Sequence, residues 1–222
     1  MKKIAPTLFF LAICTLASAQ STVGLTVATS KSDNHMETLW YQQQLSNRFS
    51  LGVQVRNSDV RYRFVDARAI EKGNTVFAGL TLGLKIKERE NYRLDFNLTT
   101  SYRLLENEEN EALPQFTNGI EIDPNLLFSL KSGQHFVFHT GIMLRTATQV
   151  SPEPISDEQL PSAILLNGLS YQRNQSALTL RTYVGPMNGA SGDTEKFFWQ
   201  VSLGYQYTFP GKFSSTLPFI NF

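Results

Sequence analysis

The stretch Val76–Leu104 constrains this chain more than any other. Tyr92, Leu94, Phe96, Leu98, Thr100, Tyr102 and Leu104 take every second place, and Arg93, Asp95, Asn97, Thr99, Ser101 and Arg103 stand between them. A period of two separates two faces only if the segment is a strand, because successive side chains then point to opposite sides. The preceding run repeats the pattern: Val76, Ala78, Leu80, Leu82, Leu84 and Ile86 against Thr81, Gly83, Lys85 and Lys87. Glu88-Arg89-Glu90-Asn91 supplies the polar turn between them. The two runs form a hairpin with one apolar and one polar face.

The same template recurs along the chain. Strands are expected at Ser21–Thr29, Thr38–Leu45, Phe49–Arg56, Val76–Ile86, Tyr92–Leu104, Gly119–Leu130, Phe136–Arg145, Ser162–Arg173, Ser176–Val184 and Lys196–Phe209. Two are irregular. Gln42-Gln43-Gln44 blurs the faces of the second, and the eighth is weakly phased. After Asn57-Ser58-Asp59 the apolar phase flips to Val60, Tyr62 and Phe64, so the third strand is expected to end or bulge there. Residues Asn57–Thr75 then read as a long loop, or as a strand projecting beyond the membrane. Pro124 lacks an N–H and marks a bulge or edge in the sixth strand. Loops after strands 1, 3, 5, 7 and 9 read as longer, and those after 2, 4, 6 and 8 as tight turns. That rhythm is the one expected of an all-β, antiparallel, up-and-down transmembrane β-barrel of about ten strands, with eight or twelve as alternatives.

The N-terminus carries a different signal. Met1-Lys2-Lys3 is a basic start, Thr7–Leu16 is apolar, and Ala17-Ser18-Ala19 precedes Gln20. Residues 1–19 therefore read as a cleaved secretory signal peptide, 20–209 as the barrel and 210–222 as a C-terminal extension. About ten apolar residues are too few for a helical membrane anchor. A lipoprotein signal needs a small residue before its cysteine, and Ile13 precedes Cys14. Cys14 is the only cysteine, so the exported chain has no thiol and must close its fold without disulfides. Lys2 and Lys3 leave with the signal, taking the formal charge from +1 to −1, a balance that does not suggest a nucleic-acid partner.

Alternation does not say which face is outside, and a soluble lipocalin-like barrel would show the same period reversed. Three features favour an apolar exterior. Aromatic residues gather at strand ends as two belts: Trp40, Tyr41, Tyr102 and Trp199 beside the longer loops, and Tyr92, Phe136, Tyr205 and Tyr207 beside the tight turns. The polar face carries Arg93, Asp95, Glu121, Arg145 and Arg181, which facing one another inside a narrow lumen would form a neutralising charge network. The strands are long enough to cross a bilayer when tilted. On this reading Leu94, Phe96 and Leu98 face lipid, and the Glu88–Asn91 turn is periplasmic.

A signal peptide, a cysteine-free mature chain and about ten amphipathic strands resemble the small outer-membrane β-barrel proteins of Gram-negative bacteria, in particular the PorT-like and OmpX-like families. The resemblance covers residues 21–209 and rests on pattern rather than on a motif. It implies the outer membrane as location, membrane lipid and lipopolysaccharide as surroundings, and insertion by the barrel-assembly machinery. That machinery reads an aromatic-rich last strand, which Phe197–Phe209 resembles, although the chain runs on to Phe222.

No catalytic, cofactor or metal site is legible. His35 has Asp33 nearby but no supporting motif, His135 lies at a turn, and His139 is expected in the lumen. No adjacent His-Ser pair suggests a lipid deacylase. Glu106, Glu108, Glu109 and Glu111 form an acidic loop without the ligand spacing of a calcium site. The expected function is therefore non-enzymatic: binding, adhesion or envelope structure through the loops Asn57–Thr75, Glu106–Phe116 and Ala147–Pro161. A narrow pore, an envelope assembly or secretion accessory, and a rim enzyme are the alternatives. The sequence names no extracellular ligand.

Overall fold

The computed structural model describes residues 20–30, 35–63, 70–107, 116–151, 162–187 and 196–209. Residues 1–19 and 210–222, Asp33, Glu108, Glu109 and Glu111 of the acidic loop, and Pro152, Pro154 and Pro161 lie outside them.

Ten strands follow one another: β1 (Ser21–Ser30), β2 (His35–Gln44), β3 (Phe49–Arg63), β4 (Ile70–Glu88), β5 (Tyr92–Asn107), β6 (Phe116–Ser132), β7 (Phe136–Ser151), β8 (Ser162–Arg173), β9 (Ser176–Met187) and β10 (Lys196–Phe209). Each pairs antiparallel with its neighbour in sequence, and β1 closes on β10 from Ser21↔Phe209 to Ser30↔Gln200. The result is a closed up-and-down barrel of ten strands. Among the described residues no helix is long and apolar enough to cross a membrane, which says nothing about crossing with strands.

The tight turns all lie at one end, and their residues explain them. Ser46 Oγ accepts from the N–H groups of Arg48 and Phe49, closing the link from β2 to β3. Arg89 N–H donates to the Tyr92 carbonyl below the β4–β5 hairpin. Gly133 (φ 68) and Asn174 (φ 54) adopt left-handed backbone in the other two turns, the conformation these two residue types tolerate best. β1 ends at Ser30 and β2 begins at His35, so the first connection at the far end is no longer than Leu45–Arg48. The expected alternation in length holds at the other far-end connections only.

The ladders are staggered. Hydrogen-bonded partners run from Val23, three residues from the start of its strand's described segment, through Tyr41, Val53, Leu80, Thr100 and Ile122 to Thr146, deep into β7. That climb is the strand tilt a closed barrel requires. A ten-residue strand is about 33 Å long, and tilted by about 40° it spans about 25 Å along the barrel axis.

Several expectations need correction. The phase flip after Asn57 is not a bulge: β3 pairs with β4 without a break from Phe49↔Leu84 to Arg63↔Ile70. Residues 57–75, expected as a long loop or a projecting strand, are the projecting end of a hairpin, with only 64–69 outside the described residues. The register shifts fall instead at Lys85/Lys87 and at Asn118/Gly119. Pro124 keeps its place opposite Leu98 in the β5 ladder, while the β7 ladder skips from Ile122 to Asn125. A proline on the outward side of the wall is accommodated here by a two-residue gap in one ladder. β8 is weakly phased because its inward residues Ile164 and Leu166 are as apolar as its outward Leu165.

Trp40 is the largest departure. It was expected in an outer aromatic belt but points inward and is 4% exposed. Adjacent residues on a strand face opposite ways, so Trp40 and Tyr41 cannot share a belt. Tyr41 is the outward one, and it lies toward the tight turns rather than the longer loops, with its hydroxyl donating to Ser21 Oγ at 3.1 Å. The indole is housed by Gly24, its ladder partner: a Cβ there would fall on Trp40 Cζ2 and Cε2. Replacing Gly24 by Leu should cost about 1–3 kcal/mol of barrel stability through overpacking. Urea titration of the folded barrel should show that loss, and the loss should shrink when Trp40→Ala is already present.

Candidate functional site in the lumen

The barrel is inverted relative to a soluble protein. Its outer surface is apolar: Leu80 is 58% exposed, and Leu39, Leu82, Leu165, Leu178 and Leu203 are exposed like it. Its interior is largely polar. Within β5 the division follows the alternation: Arg93, Asp95, Asn97, Thr99 and Ser101 are buried, Phe96 is exposed, and Leu94 and Leu98 lie half-buried on the outer side. Of the residues expected in belts, Tyr102, Phe136, Trp199 and Tyr205 are exposed, and Tyr92 and Tyr207 are half-buried. Tyr205 bonds Ser176 at 3.0 Å, and Tyr207 donates to Gln175 beside the turn.

The charged residues expected as one network separate into discrete groups. Near the tight turns Arg93 Nε donates to Asp95 at 2.7 Å, the two side chains standing two residues apart on the inner face of β5. Lys85 pairs with Glu88 beside them. Toward the far end Arg56 Nη2 donates to Glu121 at 2.8 Å, and its guanidinium carbon lies 3.6 Å from the centre of the Phe77 ring. Arg145 stands 3.4 Å from Asp123. Arg181 is buried elsewhere, its stem against Gly168, where a Cβ would come within 2.8 Å of its Cγ. The expected network contained Glu121 and Arg145 but not Arg56, Asp123 or Phe77. Asp123 sits two residues from Glu121, so it shares that residue's face, which was the available signal.

Neutral side chains fill much of the space between these groups. Asn97 Nδ2 donates to Asn125 at 3.0 Å, Gln42 to Ser50 Oγ at 2.7 Å, and Thr81 meets Thr99 at 3.0 Å. On one side the lining turns apolar, with Leu127, Met143, Ile164, Leu166 and Tyr183 in one cluster.

The histidines resolve differently. His35 is exposed and lies 3.4 Å from Glu37, and His135 is exposed at its turn beside the Gln172 carbonyl. His139 is in the lumen, with Nδ1 2.9 Å from Ser129 Oγ and Nε2 2.7 Å from Ser170 Oγ, which reaches Thr179 at 2.8 Å. His–Ser contacts therefore exist, made across strands rather than between adjacent residues. Ser170 is 0% exposed, so neither water nor a substrate reaches that hydroxyl. The chain Ser129–His139–Ser170–Thr179 is a satisfied buried polar link. Among the described residues no group of three His, Cys, Asp or Glu side chains could hold a metal ion.

Arg93 and Asp95 give the sharpest test of this interior. Arg93→Met leaves a carboxylate buried without its cation and should destabilise the barrel by about 3–5 kcal/mol. Replacing both, Arg93→Met with Asp95→Leu, should restore most of that loss, read from unfolding curves of the barrel in lipid vesicles.

No family model matches this sequence, and no curated protein matches it. Its fold is similar to solved structures of low sequence identity. The NanC porin structure is 9% identical, with 83% of this chain and 98% of that one covered at a TM-score of 0.48. The translocator domain of the autotransporter NalP from Neisseria meningitidis is 9% identical, covering 91% and 95% at 0.49. Outer-membrane expressed OmpT of Vibrio cholerae is 8% identical at 0.37, and this chain spans 57% of its length.

Proposed function

We propose that this chain is an integral β-barrel of the bacterial outer membrane, without enzymatic activity, that acts by binding or as envelope structure through its far end. The observation that carries the reading is the apolar exterior around the barrel. A soluble protein rarely exposes a contiguous apolar patch beyond a few hundred Å², whereas lipid accepts such a surface without cost. The strand tilt gives a wall about 25 Å tall, the height of the apolar band in barrels of this kind. A lipocalin-like arrangement would put Leu80, Leu39 and Leu165 inside and Arg93 and Asn97 outside, the reverse of their burial.

Lipid and lipopolysaccharide around the wall, and the barrel-assembly machinery during insertion, are the partners this reading implies. The filled lumen supports a structural or binding role over conduction, since the Arg93–Asp95 and Asn97–Asn125 pairs occupy the narrow interior near the tight turns. The protein should therefore pass no steady current in planar bilayers. An accessory role in envelope assembly or secretion has no residue here to support it.

The deciding experiment is membrane fractionation with a surface variant. The wild-type protein should sediment with the outer membrane and show a heat-dependent gel shift in detergent. Leu80→Arg should cost about 2–4 kcal/mol in bilayers, as expected for an arginine at mid-depth on a lipid-facing wall. A soluble periplasmic protein on which Leu80→Arg has no effect would overturn the reading.

A further inference from the structure

On one side of the barrel the apolar outer wall is interrupted at mid-depth. Asn167 is the sixth of the twelve residues of β8 and points outward, on the same face as Leu165 and Leu169. Its ladder partners are Thr140 on β7 and Thr182 on β9, so three polar side chains stand in one row across adjacent strands. Thr140 is exposed and Thr182 half-buried. The row is closed on either side by Phe128 of β6 and Val201 of β10. By contrast Thr100, outward on β5, stands alone between Leu80 and Ile122. We propose that the row Thr140–Asn167–Thr182 is the contact surface of a homodimer, in which Asn167 of one copy pairs with Asn167 of a second. The inference rests on the reading of the wall as lipid-facing.

Thr140 Oγ1 donates to Asn167 Oδ1 at 3.0 Å, and among the described residues nothing accepts from Asn167 Nδ2. Hydrocarbon offers that amide no acceptor, so its N–H donors go unmatched unless another protein surface supplies one. A second copy supplies it in the right place. Copies inserted in one membrane stand at one depth, so a two-fold axis along the membrane normal brings Asn167 opposite Asn167. A carboxamide carries donors and an acceptor and is its own complement, so the two side chains pair reciprocally. Strands tilted by about 40° from that axis cross at about 80° in such a pair, which confines the contact to a few residues around the crossing point. Asn167, midway along β8, is placed to occupy that point. The leucines around it exchange lipid for equally apolar leucines, so the polar pair rather than apolar burial favours association.

Sedimentation equilibrium of the folded barrel, purified from outer membranes in density-matched detergent, tests the association. The wild type should pass from monomer to dimer as the protein-to-detergent ratio rises. Asn167→Leu should weaken the dimer about tenfold, the loss expected for a reciprocal pair of hydrogen bonds in a membrane. That variant should keep the heat-dependent gel shift, because leucine suits a lipid-facing position at least as well as asparagine. Val53→Leu, on β3 at the opposite side of the ring, should leave the dimer unchanged. In intact outer membranes a photoreactive benzophenone residue at position 169 should give an adduct of two copies, and one at position 53 should not. The dimer is excluded if the wild type stays monomeric at every ratio, if Asn167→Leu dimerises as the wild type does, or if position 169 reacts only with a different protein or with lipid. Recovery of the wild type as a soluble protein would remove the lipid-facing reading and the dimer with it, whereas a membrane-embedded monomer removes the dimer alone.

Discussion

Closure of the ladder between β1 and β10 is the constraint on which the rest of this structure depends. An open ten-stranded sheet would leave one edge of N–H and C=O groups from Ser21–Ser30 and another from Lys196–Phe209 without partners. Each such group costs several kcal/mol in hydrocarbon, so only a closed sheet can carry an apolar exterior into lipid. Once closure satisfies the backbone within the wall, the outward side chains are free to be leucine and phenylalanine. The inward ones are left to settle the polar interior among themselves.

That interior is arranged to avoid orphaned charge. Arg93 meets Asp95, Arg56 meets Glu121 and rests on Phe77, and His139 is held between two serines. Desolvating an arginine is expensive, and the pairs offset that cost only because partner and cation come from the same or facing strands. Small residues make the filling feasible: Gly24 admits the Trp40 indole and Gly168 the stem of Arg181. Packing and electrostatics thus use the same inner positions. Only the far end, between Arg56 and Arg145, is left incompletely filled.

Much of the barrel was legible because alternation is a local signal. In β5 one residue in two is polar, and the two faces separate without further information. The signal weakens wherever the inner wall is not polar. β8 is ambiguous because Ile164 and Leu166 join an apolar interior cluster, and in β2 Trp40 misled because it fills space opposite a glycine on the neighbouring strand. Both depend on cross-strand neighbours that sequence spacing does not encode. The ion pairs were legible as charges on one face but not as pairs, since the β3–β6 contact of Arg56 with Glu121 spans 65 residues of chain. The phase flip at Asn57 misled because an alternating pattern can break without the ladder shifting.

The alternation in β5 should divide lipid from lumen. Residues 20–222 contain no cysteine, so in a barrel made from them and refolded into bilayers single cysteines placed in turn at residues 93 to 104 can carry a nitroxide label. The measurement is collision of each label with oxygen, which concentrates in lipid, and with a water-soluble nickel complex. Strong oxygen contact is expected at 94, 96, 98, 100 and 102, and weak contact with both reagents at 93, 95, 97, 99 and 101. Preferential nickel contact at 94, 96 and 98, or no alternation along the strand, would contradict it.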